Sequence, residues 1–165
     1  MSTRREKIAV VTGASRGIGA YLATELWNVA DIIVICARKR EGLLQTAHHI
    51  EQRGGRAHIL PLDLCREADQ KHLLDVVDSL GDLDIVIHNA GMEIAMAFEQ
   101  QNESQIQQQL LLNATVPILL THRILPGMKS RGNGRLVFIS SMSGKSPTPF
   151  NSIYSATKYA LNGFV

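Results

Sequence analysis

Cysteine is scarce in this 165-residue chain, which has only two. Two cysteines do not make a disulfide framework, and Cys36 and Cys65 both lie in or beside apolar runs, as buried reduced thiols do. An excess of charge is missing too. Seventeen basic and 15 acidic residues leave a net +2, so no whole-molecule basic field favours nucleic acid. Long apolar runs are also absent. The longest, Ile32 to Ala37, is far short of the roughly 20 residues of a membrane span. Only Ile8 to Val11 follow the basic start, Met1 to Lys7, too little for a signal-peptide core. The expectation is a cytoplasmic protein with no membrane or nucleic-acid partner. His48, His49, His58, His72 and His122 lie singly or as one neighbour pair, with no zinc-like spacing, so no metal is expected.

What is present describes a folded domain. Apolar residues make up 45% of the chain, and a mean hydropathy of +0.01 with balanced charge excludes intrinsic disorder. No repeat, low-complexity tract or linker interrupts residues 1–165, which read as one domain. Short β-branched runs alternate with helical patterns. Strands are expected at Lys7 to Thr12, Asp31 to Ala37, Arg56 to Leu64, Leu83 to His88 and Gly134 to Ser140, largely apolar on both parities.

Helices are expected between them. Gly17 to Ala30 would bury a stripe of Ile18, Leu22 and Leu26, and Glu41 to Arg53 a face of Leu44, Ala47 and Ile50. Glu67 to Leu80 carries Leu73, Val76, Val77 and Leu80. Glu103 to Arg131 forms a long helical segment interrupted at Pro117 and Pro126, and the glutamine-rich Gln100 to Gln109 reads as its polar start. Lys129 to Arg135 reads as a solvated basic loop. This alternation implies right-handed βαβ units and an α/β fold, a Rossmann-like doubly wound parallel sheet. Such sheets bind ligands at the carboxyl ends of their strands.

The first strand-to-helix turn reads Thr12-Gly13-Ala14-Ser15-Arg16-Gly17-Ile18-Gly19. Glycines there let the backbone turn sharply and approach a pyrophosphate at a helix N-terminus. No Gly-Lys-Ser/Thr follows at P-loop spacing. Past the second strand come Arg38, Lys39 and Arg40, where an NAD site would want an acid for the ribose 2′-hydroxyl. Cations at a helix N-terminus oppose the macrodipole, and Arg16 does the same at the first helix. An anion between them resolves both, and the 2′-phosphate makes NADP(H) the expected cofactor over NAD(H). Solvated surface charge is the bland alternative.

Tyr154 and Lys158 stand four apart on an expected helix and share a face. An ammonium beside a phenol favours the phenolate, giving an acid or base usable near neutral pH. Ser141 is expected to close the fifth strand at its carboxyl end, where its hydroxyl can hold a carbonyl oxygen; Ser140 and Ser143 compete on spacing. Asn113 has its own reading. Its carbonyl would accept from residue 117 in a regular helix, but Pro117 has no N–H, so the carbonyl is freed or the helix kinks.

Taken in order, Thr12-Gly-x-x-x-Gly-Ile-Gly19, Asn89-Ala90-Gly91, Asn113, Ser141, Tyr154 and Lys158 resemble the short-chain dehydrogenase/reductase family from Lys7 to the chain's end. The resemblance implies hydride transfer between a nicotinamide cofactor and an alcohol or carbonyl carbon. It implies that Tyr154 exchanges the proton, that Ser141 orients the substrate oxygen, and that Lys158 binds the nicotinamide ribose and favours the Tyr154 phenolate. The Asn113 carbonyl would hold a water in a proton relay to Lys158. Gly13, Ser15, Arg16, Gly17, Ile18, Gly19, Arg38, Asp63, Leu64, Asn89, Ala90, Gly91, Tyr154 and Lys158 would contact the cofactor. Asp63 and Leu64 match the family's adenine contacts, and Arg16 and Arg38 its positions of NADP preference. His88 stands where the family has a first asparagine.

Relatives of this kind continue beyond the Tyr-x-x-x-Lys helix, whereas this sequence stops at Val165 with an apolar end, Ala160 to Val165. The expectation is therefore an incomplete fold at the C-terminus. A catalytically inactive nucleotide-binding or interaction module is the alternative to an oxidoreductase. Glu93, Ile94, Met96, Pro149, Phe150 and Ile153 are expected to line a fairly apolar pocket for a small carbonyl or alcohol. The resemblance also implies a homo-oligomer built on the helices around Asn113 and Tyr154.

Overall fold

Apolar strands that are buried on both faces need helices on both sides, and the computed structural model, which describes residues 5–165, is built that way. Five strands form one parallel sheet: β1 (Ile8–Thr12), β2 (Ile32–Ala37), β3 (Arg56–Pro61), β4 (Leu83–His88) and β5 (Arg135–Phe138). Their order is β3-β2-β1-β4-β5. The chain reverses its direction of travel across the sheet between β1 and β4, which opens a crevice at the carboxyl ends of those two strands.

The helices are α1 (Gly17–Glu25), α2 (Arg40–Gln52), α3 (Glu67–Leu80), α4 (Glu103–Leu110), α5 (Val116–Ser130) and α6 (Ser152–Phe164). On one face, Ala9, Val11, Ile33 and Ile35 meet Ala23 of α1 and Leu43, Ala47 and Ile50 of α2. On the other, Val10, Val34 and Val86 meet Leu73 and Val77 of α3 and Val116, Leu120 and Met128 of α5. Read through from α4 to α5, residues 103–130 are long and apolar enough to cross a membrane by composition; here their buried side chains pack on the sheet.

Two helix faces differ from the sequence expectation. Ile18 is 62% exposed, and α1 instead buries Gly19, Ala23 and Thr24. The helix starts so close to β1 that only small residues fit beneath it, which turns Ile18 outward. In α2 the buried residue is Leu43, and Leu44 is exposed. Thr46 donates to the Ala14 carbonyl at 2.8 Å, anchoring α2 on the first turn and setting its rotation. β3 ends at Pro61 and β5 at Phe138, both short of expectation. Of the basic start Met1 to Lys7, the first four residues lie outside the described residues.

The long helix is interrupted just before Pro117 but, contrary to expectation, runs on through Pro126, which lies inside α5. Leu111–Thr115 form a π-helical turn in which the Val116 N–H donates to the Leu111 carbonyl, five residues back. π turns insert a residue and free main-chain groups. Asn113 sits in the middle of this one, and Pro117 opens α5.

Candidate active site

The carboxyl ends of β1 and β4 are tied together before any ligand is considered. Thr12 Oγ1 accepts from the main-chain N–H groups of Asn89 and Ala90, each at 3.0 Å. Asn89 Nδ2 donates back to the carbonyls of Thr12 at 3.0 Å and Gly13 at 3.2 Å. Asn89 is thus a clamp on the first turn, with its amide committed to protein.

Gly13 has φ +68°, and a β-carbon there would stand 2.8 Å from Ala90 Cα. Only glycine meets both conditions. Ser15 lies under the first turn of α2, where Gly42 packs against its carbonyl. Arg16 is the N-cap of α1, with extended backbone and no side-chain cap, so the amides opening α1 are left for a ligand.

Among the described residues, the side chains of Arg16, Arg38, Lys39 and Arg40 make no hydrogen bond or ion pair. All four are exposed, at or beside the N-termini of α1 and α2. After β3 the chain turns at the Asp63–Leu64–Cys65 corner, whose Cys65 thiol feels the charge of Arg38. There the Cys65 N–H donates to Asp63 Oδ1 at 3.0 Å, and the Asp63 N–H to Asp69 Oδ2 at 2.7 Å. Cys65 is half-buried rather than buried as expected, because it rims this corner; burial first, then the Asp63 carboxylate, pushes its thiol up. Cys36 is fully buried at the end of β2, and desolvation pushes it up to about 12.

The other end of the crevice is built on α6. Lys158 is 4% exposed; its Nζ donates to the Ile139 carbonyl at 2.8 Å and lies 5.5 Å from the Tyr154 ring centroid. Burial lowers the Lys158 ammonium from the ordinary lysine range. Tyr154 is half-buried, and its hydroxyl bonds no described residue.

Ser141 does not close β5 as expected. It stands three residues past the strand and caps the short helical turn Met142–Gly144, its Oγ accepting from the Ser143 N–H at 3.1 Å. A hydroxyl that accepts there keeps its own O–H to donate elsewhere. Of its competitors, Ser143 is buried against Thr148 at 3.4 Å, and the Ser140 hydroxyl is buried without a partner.

Asn113 spends its side chain on structure. Its Oδ1 accepts from the Met92 N–H at 2.8 Å, and its Nδ2 donates to the Met92 carbonyl at 2.7 Å and to Thr157 Oγ1 at 3.3 Å. A cavity of about 10 Å³, room for one water, lies among Thr12, His88, Ala90, Asn113 and Lys158. His88 is buried beside it, stacked on Phe138 with centroids 4.7 Å apart and 3.0 Å from Thr121 Oγ1. Desolvation lowers its imidazole to about 4.

Of the expected pocket residues, Ile94, Met96 and Ile153 are half-buried, while Glu93, Pro149 and Phe150 are exposed. The Met96 N–H donates to the Phe150 carbonyl at 2.9 Å, joining the two segments that flank the crevice. Sequence reasoning missed this bond, and no residue type announces a main-chain contact. Among the described residues no cluster of His, Cys, Asp and Glu could hold a metal.

The sequence model of a family described as short chain dehydrogenase matches residues 7–165. The chain is 37% identical over 162 residues to the ketoacyl reductase HetN of Nostoc sp., covering 98% of this chain and 56% of that protein. It is 30% identical to an uncharacterized oxidoreductase of Staphylococcus epidermidis, of which it covers 70%. A metagenomic short-chain oxidoreductase solved in complex with NADP superposes with a TM-score of 0.90 at 31% identity, over 96% of this chain and 72% of that one. A 3-oxoacyl (acyl-carrier-protein) reductase from Agrobacterium tumefaciens with NADP bound gives 0.90 at 28% identity, over 98% and 62%. The chain therefore spans 56–72% of the length of these proteins.

Proposed function

The chain belongs to the short-chain dehydrogenase family, and from that premise we propose that it is an NADP(H)-dependent oxidoreductase acting on a carbonyl or secondary alcohol. The observation that carries this reading is the pairing of two halves in one crevice. Four cations whose side chains bond no described residue lie at one end, and a tyrosine hydroxyl that bonds no described residue lies beside a buried lysine at the other.

The residues present fit the cofactor. Gly13, Ser15, Gly17, Ile18 and Gly19 leave an uncapped helix start for the pyrophosphate. Arg16 and Arg38 would pair with a 2′-phosphate, Asp63 and Leu64 would contact the adenine, and Asn89, Ala90 and Gly91 would line the cofactor site. Tyr154 and Lys158 would bind the nicotinamide ribose. When bound, the nicotinamide supplies or takes up the hydride.

Everything else falls to the chain's own side chains. The Ser141 O–H donates to the substrate oxygen and holds it against Tyr154. The Tyr154 hydroxyl gives its proton to that oxygen during reduction and takes it back during oxidation. The Lys158 ammonium favours the phenolate that remains. Proton resupply runs from the Lys158 side into the small cavity, where the Asn113 carbonyl, freed by Pro117, holds a water.

HetN is named for a ketoacyl group and the Agrobacterium protein for a 3-oxoacyl group, so acyl ketones head the carbonyls to test. Leu110, Leu119 and Tyr159, exposed on α4, α5 and α6, support a homo-oligomer through those helices.

Fluorescence titration with NADPH and NADH, followed by NADPH oxidation with acyl, ketone and sugar carbonyls, tests the proposal. Binding of NADPH at least about tenfold tighter than NADH is expected, since charge-assisted contacts to the 2′-phosphate are lost with NADH. Equal affinities remove the NADP preference, and no binding of either cofactor removes the oxidoreductase reading.

A further inference from the structure

A glutamine-rich helix start would ordinarily be a solvated surface, yet two of these glutamines are core residues. Gln109 is fully buried and Gln101 nearly so. Burying a primary amide is costly unless its donors and acceptor are met, and here they are met by the Ile94 main chain, by each other and, for Gln109 Nε2 at 3.4 Å, by the Gln105 carbonyl. Gln109 Oε1 accepts from the Ile94 N–H at 3.2 Å, and Gln101 Nε2 donates to the Ile94 carbonyl at 3.3 Å. The two side chains close the ring themselves, Gln109 Nε2 donating to Gln101 Oε1 at 3.1 Å. Because an N–H only donates and a C=O only accepts, Ile94 fixes the orientation of both amides, and the orientations it demands are complementary.

One helical turn on, Asn113 treats Met92 in the same way, bonding both its N–H and its carbonyl. Residues 92 and 94 lie on the same side of an extended segment, as 109 and 113 do on their helix. The segment is therefore held as a strand is held, by side-chain amides in place of a neighbouring strand. Two residues further, Met96 bonds Phe150 across the crevice. Phe150 has φ +64° and stands four residues before Tyr154.

We propose that Gln101 and Gln109 are positioning residues of the substrate cleft. Their closed amide ring fixes the wall at residues 92–96 and, through the Met96–Phe150 bond, its spacing from the segment that leads into the tyrosine helix. The proposal rests on the oxidoreductase reading only for what the cleft binds. Gln109→Met keeps the volume and removes both of its contacts to Ile94 and Gln101. Gln101→Met removes the bond to the Ile94 carbonyl from a residue outside the helix interior. Gln107→Met, on an exposed glutamine of the same helix, is the control.

The test is residue-resolved amide hydrogen exchange of the intact protein, alongside its steady-state kinetics. In Gln109→Met, exchange at Ile94 and Met96 should quicken at least about tenfold, with exchange in β1 unchanged. NADPH affinity should stay within about twofold, and KM for the carbonyl substrate should rise about tenfold with kcat within about threefold. Gln101→Met should shift both readouts the same way by less, and Gln107→Met should shift neither. Unchanged exchange at Ile94 overturns the proposal, as does faster exchange with an unmoved KM. Should Gln109→Met not fold, Gln101→Met decides by the same two readouts. A wild type that turns over no carbonyl overturns the oxidoreductase reading instead, and exchange alone then decides whether the ring holds the wall.

Discussion

Gly144 packs directly on the main chain of Lys158: a β-carbon built on it would stand 2.9 Å from the Lys158 carbonyl oxygen. The contact is reinforced by Asn162 Nδ2, which donates to the Gly144 carbonyl at 2.8 Å. Through it the turn that carries Ser141 is seated on the helix that carries Tyr154 and Lys158, so the three proposed reacting groups are placed by a missing side chain.

Gly144→Ala should therefore push the Ser141 turn off α6. Turnover should fall at least about tenfold, because sub-ångström misplacement of positioning groups is costly, and NADPH affinity should hold. Steady-state kinetics of the variant beside wild type checks this, and wild-type turnover in the variant would show the packing to be incidental.

Removing Arg16 and Arg38 together should weaken NADPH binding by about ten- to a hundredfold, the size expected for losing charge-assisted hydrogen bonds to phosphate. NADH binding should barely move. The wild-type preference should also fade with added salt, because these cations are exposed. Titrations at low and high ionic strength provide the measurement.

Acid should destabilise the fold through His88. Its folded pKa of about 4 lies below the ordinary 6.5, so between those values the unfolded chain binds the extra proton. Stability is then fully present above pH 6.5 and is lost as pH falls towards 4, by on the order of 3 kcal/mol. Urea unfolding across that window should show a smaller loss in His88→Asn than in wild type. Equal losses would put the acid sensitivity elsewhere.

Much of this molecule could be read in its sequence, and the parts that could not share a cause. β4 and α3 run as the pattern predicts, from Leu83 to His88 and Glu67 to Leu80, because hydrophobic periodicity reports burial by large side chains. Where packing is done by small residues, the pattern misleads: Gly19 and Ala23 bring α1 onto the sheet, and Ile18 is left outside. Pro117 did announce a disturbance at Asn113, since a missing N–H has a definite position; that it takes the form of a π turn depends on tertiary packing. The ring of Gln101, Gln109 and Ile94 was hidden, because glutamine at a helix start looks solvated until its partner's backbone is placed beside it.

The central claim is that Tyr154 is the proton-transferring group of a cofactor-binding crevice that assembles without its hydroxyl. Tyr154→Phe, assayed for both NADPH affinity and NADPH oxidation against a carbonyl that the wild type reduces, tests it most directly. NADPH affinity within about twofold of wild type and a loss of turnover of at least about a hundredfold are expected, the scale of general acid–base catalysis. Turnover retained in the phenylalanine variant would contradict it.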